Sequence, residues 1–356
     1  MVIKLVSMLR GLIMAKANIL DFSYSELESE IVSIGEKKYR AKQIYGFLMK
    51  GINNFREMIN LPNLLVEKLE EKYYIGIPII RDIQISQNDG TRKYLLEFND
   101  GANIESVFMK YKYGNSICIS TQVGCKMGCR FCASTIGGLK RNLTKGDMLA
   151  QILAVEKESK ERVNHIVLMG IGEPFDNYDN IKGFIKVINS REALNIGMRN
   201  ITVSTCGIVP MIKIFAQDFP QVNLAISLHS PYNDKRNEIM PINRKYNLEE
   251  LINACKDYTE LTNRRITFEY TLVYDNNDSK EDANALAKLL KGMLCHVNLI
   301  PLNEVRETGL KKSNRKSVEQ FKDILNGKGI NATIRRELGS DIDAACGQLR
   351  QKDNSH

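Results

Sequence analysis

Gly124-Cys125-Lys126-Met127-Gly128-Cys129-Arg130-Phe131-Cys132 holds three thiols within nine residues. Thiolates are the usual ligands of iron–sulfur clusters, and a four-iron cluster ordinarily takes four of them. Here a Cys-x3-Cys-x2-Cys loop offers three. Such a loop can hold three irons and leave the fourth open to a small molecule, much as a catalytic zinc keeps one open position. A structural zinc knot is the bland alternative. Zinc sites pair two Cys-x2-Cys or Cys/His arms, and no neighbouring His or fourth Cys completes such a set.

The sequence around this loop has a strand-then-helix rhythm. Apolar, β-rich runs occur at residues 116–120, 164–169, 200–204, 222–228, 266–273 and 296–301. Amphipathic helical stretches lie between them at 145–157, 178–188, 248–261 and 279–291. Six βα units in series predict a parallel sheet with right-handed crossovers. Six are too few to close an eight-stranded barrel, so an open, partial (βα)6 barrel is expected, its chemistry at the carboxyl ends of the strands. Short helices are expected across residues 20–75, starting at a capping sequence over Asp21 to Glu26. Alternating strands over 79–107 turn at Asn88-Asp89-Gly90 and Asn99-Asp100-Gly101. A helix at 317–327 and a short strand at 333–336 precede a loop over 337–347. The expected α/β organisation is therefore a small helical domain at 1–78, a linking β extension at 79–112, the barrel at 113–305, and a C-terminal helix, strand and cysteine loop at 306–356. Residues 1–15 read as a start placed too early.

Composition narrows the function classes. The chain has 356 residues, 43% hydrophobic and 26% charged, as in ordinary globular proteins. No apolar run reaches the roughly 18 residues a membrane span needs, and the apolar start is broken by Lys4 and Arg10. A cytoplasmic protein without membrane contact is expected. The net charge of +8 favours a polyanionic partner, and basic groups recur at Lys37, Lys38, Arg40 and Lys42, at Lys140, Arg141 and Lys145, and at Lys311, Lys312, Arg315 and Lys316. Eight cysteines in such a chain argue against a disulfide framework. Cys206, Cys255 and Cys295 lie in periodic apolar surroundings and read as core residues.

Polar motifs fall at the strand ends. The second strand ends in Met169-Gly170-Ile171-Gly172-Glu173-Pro174. Its glycines permit close backbone approach to a ligand, and Glu173 can accept hydrogen bonds from an ammonium group. Ser204, Ser227-Leu228-His229 and Asn303 end three further strands. Taken together they favour a ligand site at one mouth.

The cysteine loop resembles the signature of the radical S-adenosylmethionine (SAM) enzymes. Further stretches resemble the RlmN family, the dual-specificity 23S rRNA and tRNA (adenine-C2)-methyltransferases. These are Cys118-Ile119-Ser120-Thr121-Gln122-Val123-Gly124-Cys125, the Met169–Pro174 stretch, Ser227-Leu228-His229-Ser230, and Asp341-Ile342-Asp343-Ala344-Ala345-Cys346-Gly347-Gln348-Leu349. The likeness runs from about Met14 to the C-terminus. It implies a [4Fe-4S] cluster on Cys125, Cys129 and Cys132 with one open iron, and two SAM molecules per turnover. Gly172, Glu173, Ser204, Ser227, Leu228, His229 and Asn303 match SAM contacts. Cys346 matches a methyl carrier, Cys118 the cysteine that resolves a covalent RNA adduct through a transient disulfide, and Glu105 a proton acceptor. The implied partners are 23S rRNA, tRNA with an adenine 3′ of the anticodon, and a flavodoxin- or ferredoxin-like electron donor; a monomer is expected.

Chemistry explains why such a route is needed. Adenine C2 is electrophilic, so direct displacement on SAM cannot methylate it, whereas a carbon radical can. Two alternatives remain at this stage. The sister Cfr group methylates C8 of the same adenine and has Ala where this chain has Pro174. A non-enzymatic iron–sulfur or zinc RNA-binding module would need no carrier cysteine at all.

Overall fold

The computed structural model describes residues 16–350, so the expectation for residues 1–15 lies outside the described residues. Three helices form the N-terminal module: α1 (Tyr24–Ser33), α2 (Tyr39–Leu48) and α3 (Asn63–Lys72). Ser23 caps α1 as its sequence predicts: its hydroxyl accepts the Glu26 N–H and the Glu26 carboxylate accepts the Ser23 N–H in return. The short strands β1 (Ala17–Asn18) and β2 (Tyr73–Tyr74) pair in parallel and close the module.

Ten strands make one sheet. Its antiparallel part is β3 (Ile79–Ile85), β4 (Arg92–Glu97), β5 (Asn103–Tyr111) and β6 (Gly114–Cys118). From β6 the order continues in parallel through β9 (His165–Leu168), β10 (Ile201–Thr205), β11 (Asn223–Ser227), β12 (Ile266–Leu272), β13 (Cys295–Pro301) and β14 (Ala332–Ile334). The crossovers are α4 (Lys145–Ser159), α5 (Tyr178–Asn189), α6 (Val209–Asp218), α7 (Asn233–Ile239) with α8 (Leu248–Thr262), α9 (Lys280–Leu289) and α10 (Arg315–Gly327). This is the expected partial barrel with a β extension. The extension shares a ladder with the barrel's first strand, because β6 pairs with β5 on one side and β9 on the other. A second ribbon, β7 (Gln122–Gly124) with β8 (Leu139–Asn142), brackets the cysteine loop.

One continuous apolar core joins the N-terminal module to the barrel. Helix α4 is its hinge point: every residue from Gly146 to Val155 is buried, with the sheet on one side and the module on the other. No described helix is long and apolar enough to cross a membrane.

Candidate active site

The carboxyl ends of the parallel strands surround an open cavity, the place where sheets of this kind bind their ligands. Cys125, Cys129 and Cys132 line one side, and Gly172, Glu173, Ser204, Ser227, His229 and Asn303 line the rest. Leu228 is the exception among the expected contacts. Its side chain is fully buried in the core, and it serves through its backbone, donating N–H to the Glu269 carbonyl.

The β7–β8 ribbon sets the cysteine loop. A Cβ on Gly124, at φ +76°, would sit 1.9 Å from the Gly138 carbonyl oxygen, so only glycine lets the ribbon close there. Inside the loop the Cys132 N–H donates to the Cys129 carbonyl, and the Arg130 N–H reaches the Ile239 carbonyl at the end of α7. Phe131 meets the His229 ring edge-on at 4.6 Å. Burial pushes the thiol of Cys125 up to about 12 and that of Cys129 well above its ordinary value. Exchanging the proton for a metal cation offsets that cost. No three His, Cys, Asp or Glu side chains among the described residues converge closely enough to hold a single ion; the ligands of a cubane bind separate irons and stand further apart. Three soft thiols facing one cavity, with its far side lined by polar groups, fit a cluster with one exposed corner.

Gly172, at φ +112°, turns the chain against strand-end backbone, and a Cβ there would fall 2.7 Å from Gln122 Cβ and Thr121 Oγ1. Glu173 follows, almost wholly buried. Its two oxygens accept the Phe175 and Cys206 N–H groups, at 2.9 and 2.8 Å. Desolvation raises its pKa and these donors pull it down, with a net rise. As a carboxylate it is an acceptor suited to an ammonium group. Burial, with Arg236 nearby, lowers His229 to about 3, so its imidazole is neutral. Nδ1 accepts the Thr271 N–H at 2.9 Å, which leaves Nε2–H as a donor.

Beside the main cavity lies a smaller one of about 570 Å³, lined by Cys118, Met169, Tyr111 and the C-terminal loop. Cys346 borders both cavities, as do Met169, Asn303 and Arg335. Cys118 is buried, its thiol pushed up to about 12 first by desolvation and then by Cys346. All eight cysteines are free thiols. Glu105 stands on β5, away from the main cavity, with 1% exposure. Its Oε2 accepts the Arg350 N–H at 2.9 Å, and its Oε1 lies 3.7 Å from Lys93 Nζ. Lys93 faces Val107, which in turn faces Cys118, so one sheet face carries all three positions. The Cys346 loop is tied down on that face and on the cysteine loop. Gly339 N–H donates to Asp89, Lys93 Nζ to the Asp343 carbonyl, Ala133 N–H to the Gly347 carbonyl, and Asn303 Nδ2 to the Cys346 carbonyl.

Sequence reasoning missed several neighbours of the site. Cys206, read as a core thiol, lines the main cavity and packs with Cys129. Arg335 also lines it; its Nη1 is 3.5 Å from Glu269 Oε2, and Cys346 and Glu269 push its pKa up further. Lys93 and Arg236 carried no motif. Two adjacent cations in a seven-residue helix, Lys235 and Arg236, hinted only that one of them turns inward.

Comparison with known proteins agrees with this geometry. The radical SAM superfamily model matches residues 119–290, and the ribosomal RNA large subunit methyltransferase N-terminal domain matches 17–75. A probable dual-specificity RNA methyltransferase RlmN of Clostridium beijerinckii is 55% identical over 334 residues, covering 94% of this chain and 95% of that protein. Its counterpart in Clostridium acetobutylicum is 53% identical, covering 94% and 97%. The crystal structure of a radical SAM methyltransferase from Sphaerobacter thermophilus superposes with a TM-score of 0.90 at 41% identity, covering 94% of this chain and 99% of that one.

Proposed function

The chain belongs to the RlmN family of radical SAM RNA methyltransferases, and from that premise we propose that it methylates C2 of an adenine in 23S rRNA and of the adenine 3′ of the anticodon in some tRNAs. One observation carries the reading: Cys346 stands at the joint between the cavity of the three-cysteine loop and the cavity that holds Cys118. A carrier must exchange chemistry with SAM on one side and with a resolving thiol on the other, and this position serves both.

Cys125, Cys129 and Cys132 would hold the cluster, with Gly172, Glu173, Ser204, Ser227, His229 and Asn303 around SAM. When bound, cluster and SAM supply the electron and the deoxyadenosyl radical that make an unreactive methyl group reactive, and a second SAM supplies that methyl group. Cys346, as its thiolate, accepts the methyl group and later gives up one of the methyl hydrogens. The resulting carbon radical adds to C2 and ties RNA to protein through the Cys346 sulfur. Glu105 takes the C2 proton, for which its carboxylate must leave the Arg350 N–H and the Cys346 loop must shift. Cys118, as its thiolate, attacks the Cys346 sulfur and the bond from that sulfur to the former methyl carbon breaks; the unpaired electron would return to the redox group held by the cysteine loop, the freed carbon takes up a proton to become the methyl group of the base, and the disulfide left between the two cysteines needs two electrons before the next turnover. An unstacked adenine must enter the mouth, as enzymes acting on bases require.

The residues at 17–75 would hold RNA by shape and phosphate contact, with the β extension as a wall of the second cavity and the 306–356 segment as the carrier loop. A flavodoxin- or ferredoxin-like donor, a monomeric state and a cytoplasmic location complete the proposal. Anaerobic turnover on RNA hairpins, followed by mass spectrometry of the digested product, tests it. The expected product is 2-methyladenine; 8-methyladenine alone would overturn the choice of carbon.

A further inference from the structure

Arg236 is fully buried, with 0% exposure. Its guanidinium makes four hydrogen bonds, and none reaches a charged group. Nε donates to the Leu228 carbonyl at 3.0 Å, and Nη1 to Asn243 Oδ1 at 2.8 Å. Nη2 donates to the Cys206 carbonyl at 2.8 Å and the Ser227 carbonyl at 3.0 Å. The other buried or half-buried cations near the site have carboxylate partners: Arg141 with Asp147, Lys93 with Glu105, Arg335 with Glu269. Among the described residues Arg236 has none. A buried charge without a counter-charge is costly enough that proteins neutralise, pair or coordinate it. Neutralisation does not happen here, because burial lowers this arginine only to about 10.

The position of that charge is informative. Cys206 packs with Cys129, Ile239 and Met240 in a small buried cluster, against which Met127, Phe131 and Cys132 of the cysteine loop also rest. The helix bearing Arg236 also ends at Ile239, whose carbonyl receives the Arg130 N–H. One guanidinium thus joins the ends of β10 and β11 and holds the backbone of Cys206, which packs against Cys129 of the cysteine loop. We propose that Arg236 is a positioning residue for the cluster: it supplies the buried positive charge that balances three thiolates and favours the cluster's reduced form. The inference rests on the proposed placement of a cluster on Cys125, Cys129 and Cys132. Reduction by a low-potential one-electron donor adds one negative charge at that place. A fixed cation in a poorly solvated setting lowers the energy of the more negative state, and burial and charge are known levers on cluster potentials.

The test compares wild type, Arg236→Lys, Arg236→Gln and Asn243→Asp after anaerobic reconstitution. Iron and sulfide content are measured first, then the midpoint potential by EPR-monitored titration with SAM and without RNA. Arg236→Lys keeps the charge and should stay close to wild type. Arg236→Gln removes it, and Asn243→Asp pairs it with a carboxylate while leaving the arginine in place. Both should fall to more negative potentials, with the reduced-to-oxidised ratio at the wild-type midpoint dropping about tenfold, which is about 59 mV for one electron. Should Arg236→Gln fail to fold, Asn243→Asp decides the matter alone. Unchanged potentials at matched iron and sulfide would overturn the role of Arg236 while leaving the cluster in place. A wild-type protein that takes up no iron and sulfide would overturn the cluster placement itself, and this inference with it.

Discussion

His229 shows how a single side chain at this site couples to the stability of the whole fold. Its backbone is left-handed, at φ +56°, and its ring is buried with Nδ1 occupied by the Thr271 N–H. Unfolded, it titrates near 6.5; folded, near 3. Between those values the unfolded chain binds the extra proton, so the stabilisation is complete above about pH 6.5 and declines as pH falls toward 3. At pH 5 the loss from this group is roughly 2 kcal/mol, at about 1.4 kcal/mol per pH unit. Urea denaturation of His229→Asn at pH 7 and pH 5 should show an acid-side loss smaller than that of wild type by about this amount; equal losses would show that the ring protonates without cost. Replacement of the two proposed reaction cysteines separates the chemistry. Cys346→Ala should give neither product nor protein–RNA adduct. Cys118→Ala should accumulate the adduct on denaturing gels, and its absence under turnover would remove Cys118 from the release step. The residues named by motif were legible because their chemistry is local: three thiols in one loop, a Gly-x-Gly-Glu-Pro turn, a cysteine in a loop rich in Asp and Gly. Arg236 and Lys93 were not, because a buried cation is defined by what tertiary packing sets against it, and a charged residue on a short helix or strand looks the same in sequence whether it faces water or the core. Leu228 marks the opposite limit, a strand-end residue whose side chain turns into the core and whose backbone alone faces its neighbours at the site.

At the scale of elements, the segment carrying Cys346 depends on fastenings far away in sequence. Asp89, in the β3–β4 turn, accepts the Thr91 N–H at 2.9 Å and the Gly339 N–H at 3.0 Å. Asp341 returns the contact by accepting the Gln87 N–H. The turn thus shapes the hairpin and anchors the loop. Hydrogen bonds to a charged group contribute about 1.5–3 kcal/mol, and a loop freed of about 2 kcal/mol opens locally more than tenfold as often. Asp89→Ala should therefore let iodoacetamide alkylate Cys346 roughly tenfold faster, while Cys255, on the buried face of α8, keeps its slow rate. An unchanged Cys346 rate would mean that the other ties suffice. The first six of the seven parallel strands and most crossover helices could be read from apolar runs and periodicity, since each is a self-contained pattern. The β7–β8 ribbon could not, with strands of only three and four residues, and nor could the seven-residue α7. The turns at Asp89-Gly90 and Asp100-Gly101 announced hairpins. Nothing local announced that β5 pairs with the barrel's first strand, which makes the extension a wall of the site.

Across the whole molecule, the close seat of the N-terminal module on the barrel is set at one glycine. Gly146, in the first turn of α4, donates its N–H to Asp21 Oδ1 at 2.9 Å. A Cβ there would meet that oxygen at 2.7 Å and the Leu20 carbonyl carbon at 2.8 Å, and backbone cannot swing aside as a flexible side chain can. Around this contact Lys145 pairs with Glu26, and Lys157 donates to the Gly51 carbonyl. Gly146→Val should thus push the module off its seat without touching any group that lines the cavities. The cavities are built from strand ends and the two cysteine loops, so SAM cleavage in the absence of RNA should stay within about twofold of wild type. RNA binding should suffer, because a displaced module no longer presents its cations in register with the mouth. A chain of net charge +8 binds RNA largely through phosphates, so losing some of those contacts lowers affinity and flattens its salt dependence together. Measured between 50 and 200 mM salt, the variant's plot of log affinity against log salt should have a shallower slope than wild type. A variant with weaker binding but the same slope would place the phosphate contacts elsewhere, on the barrel or on the Lys311–Lys316 segment.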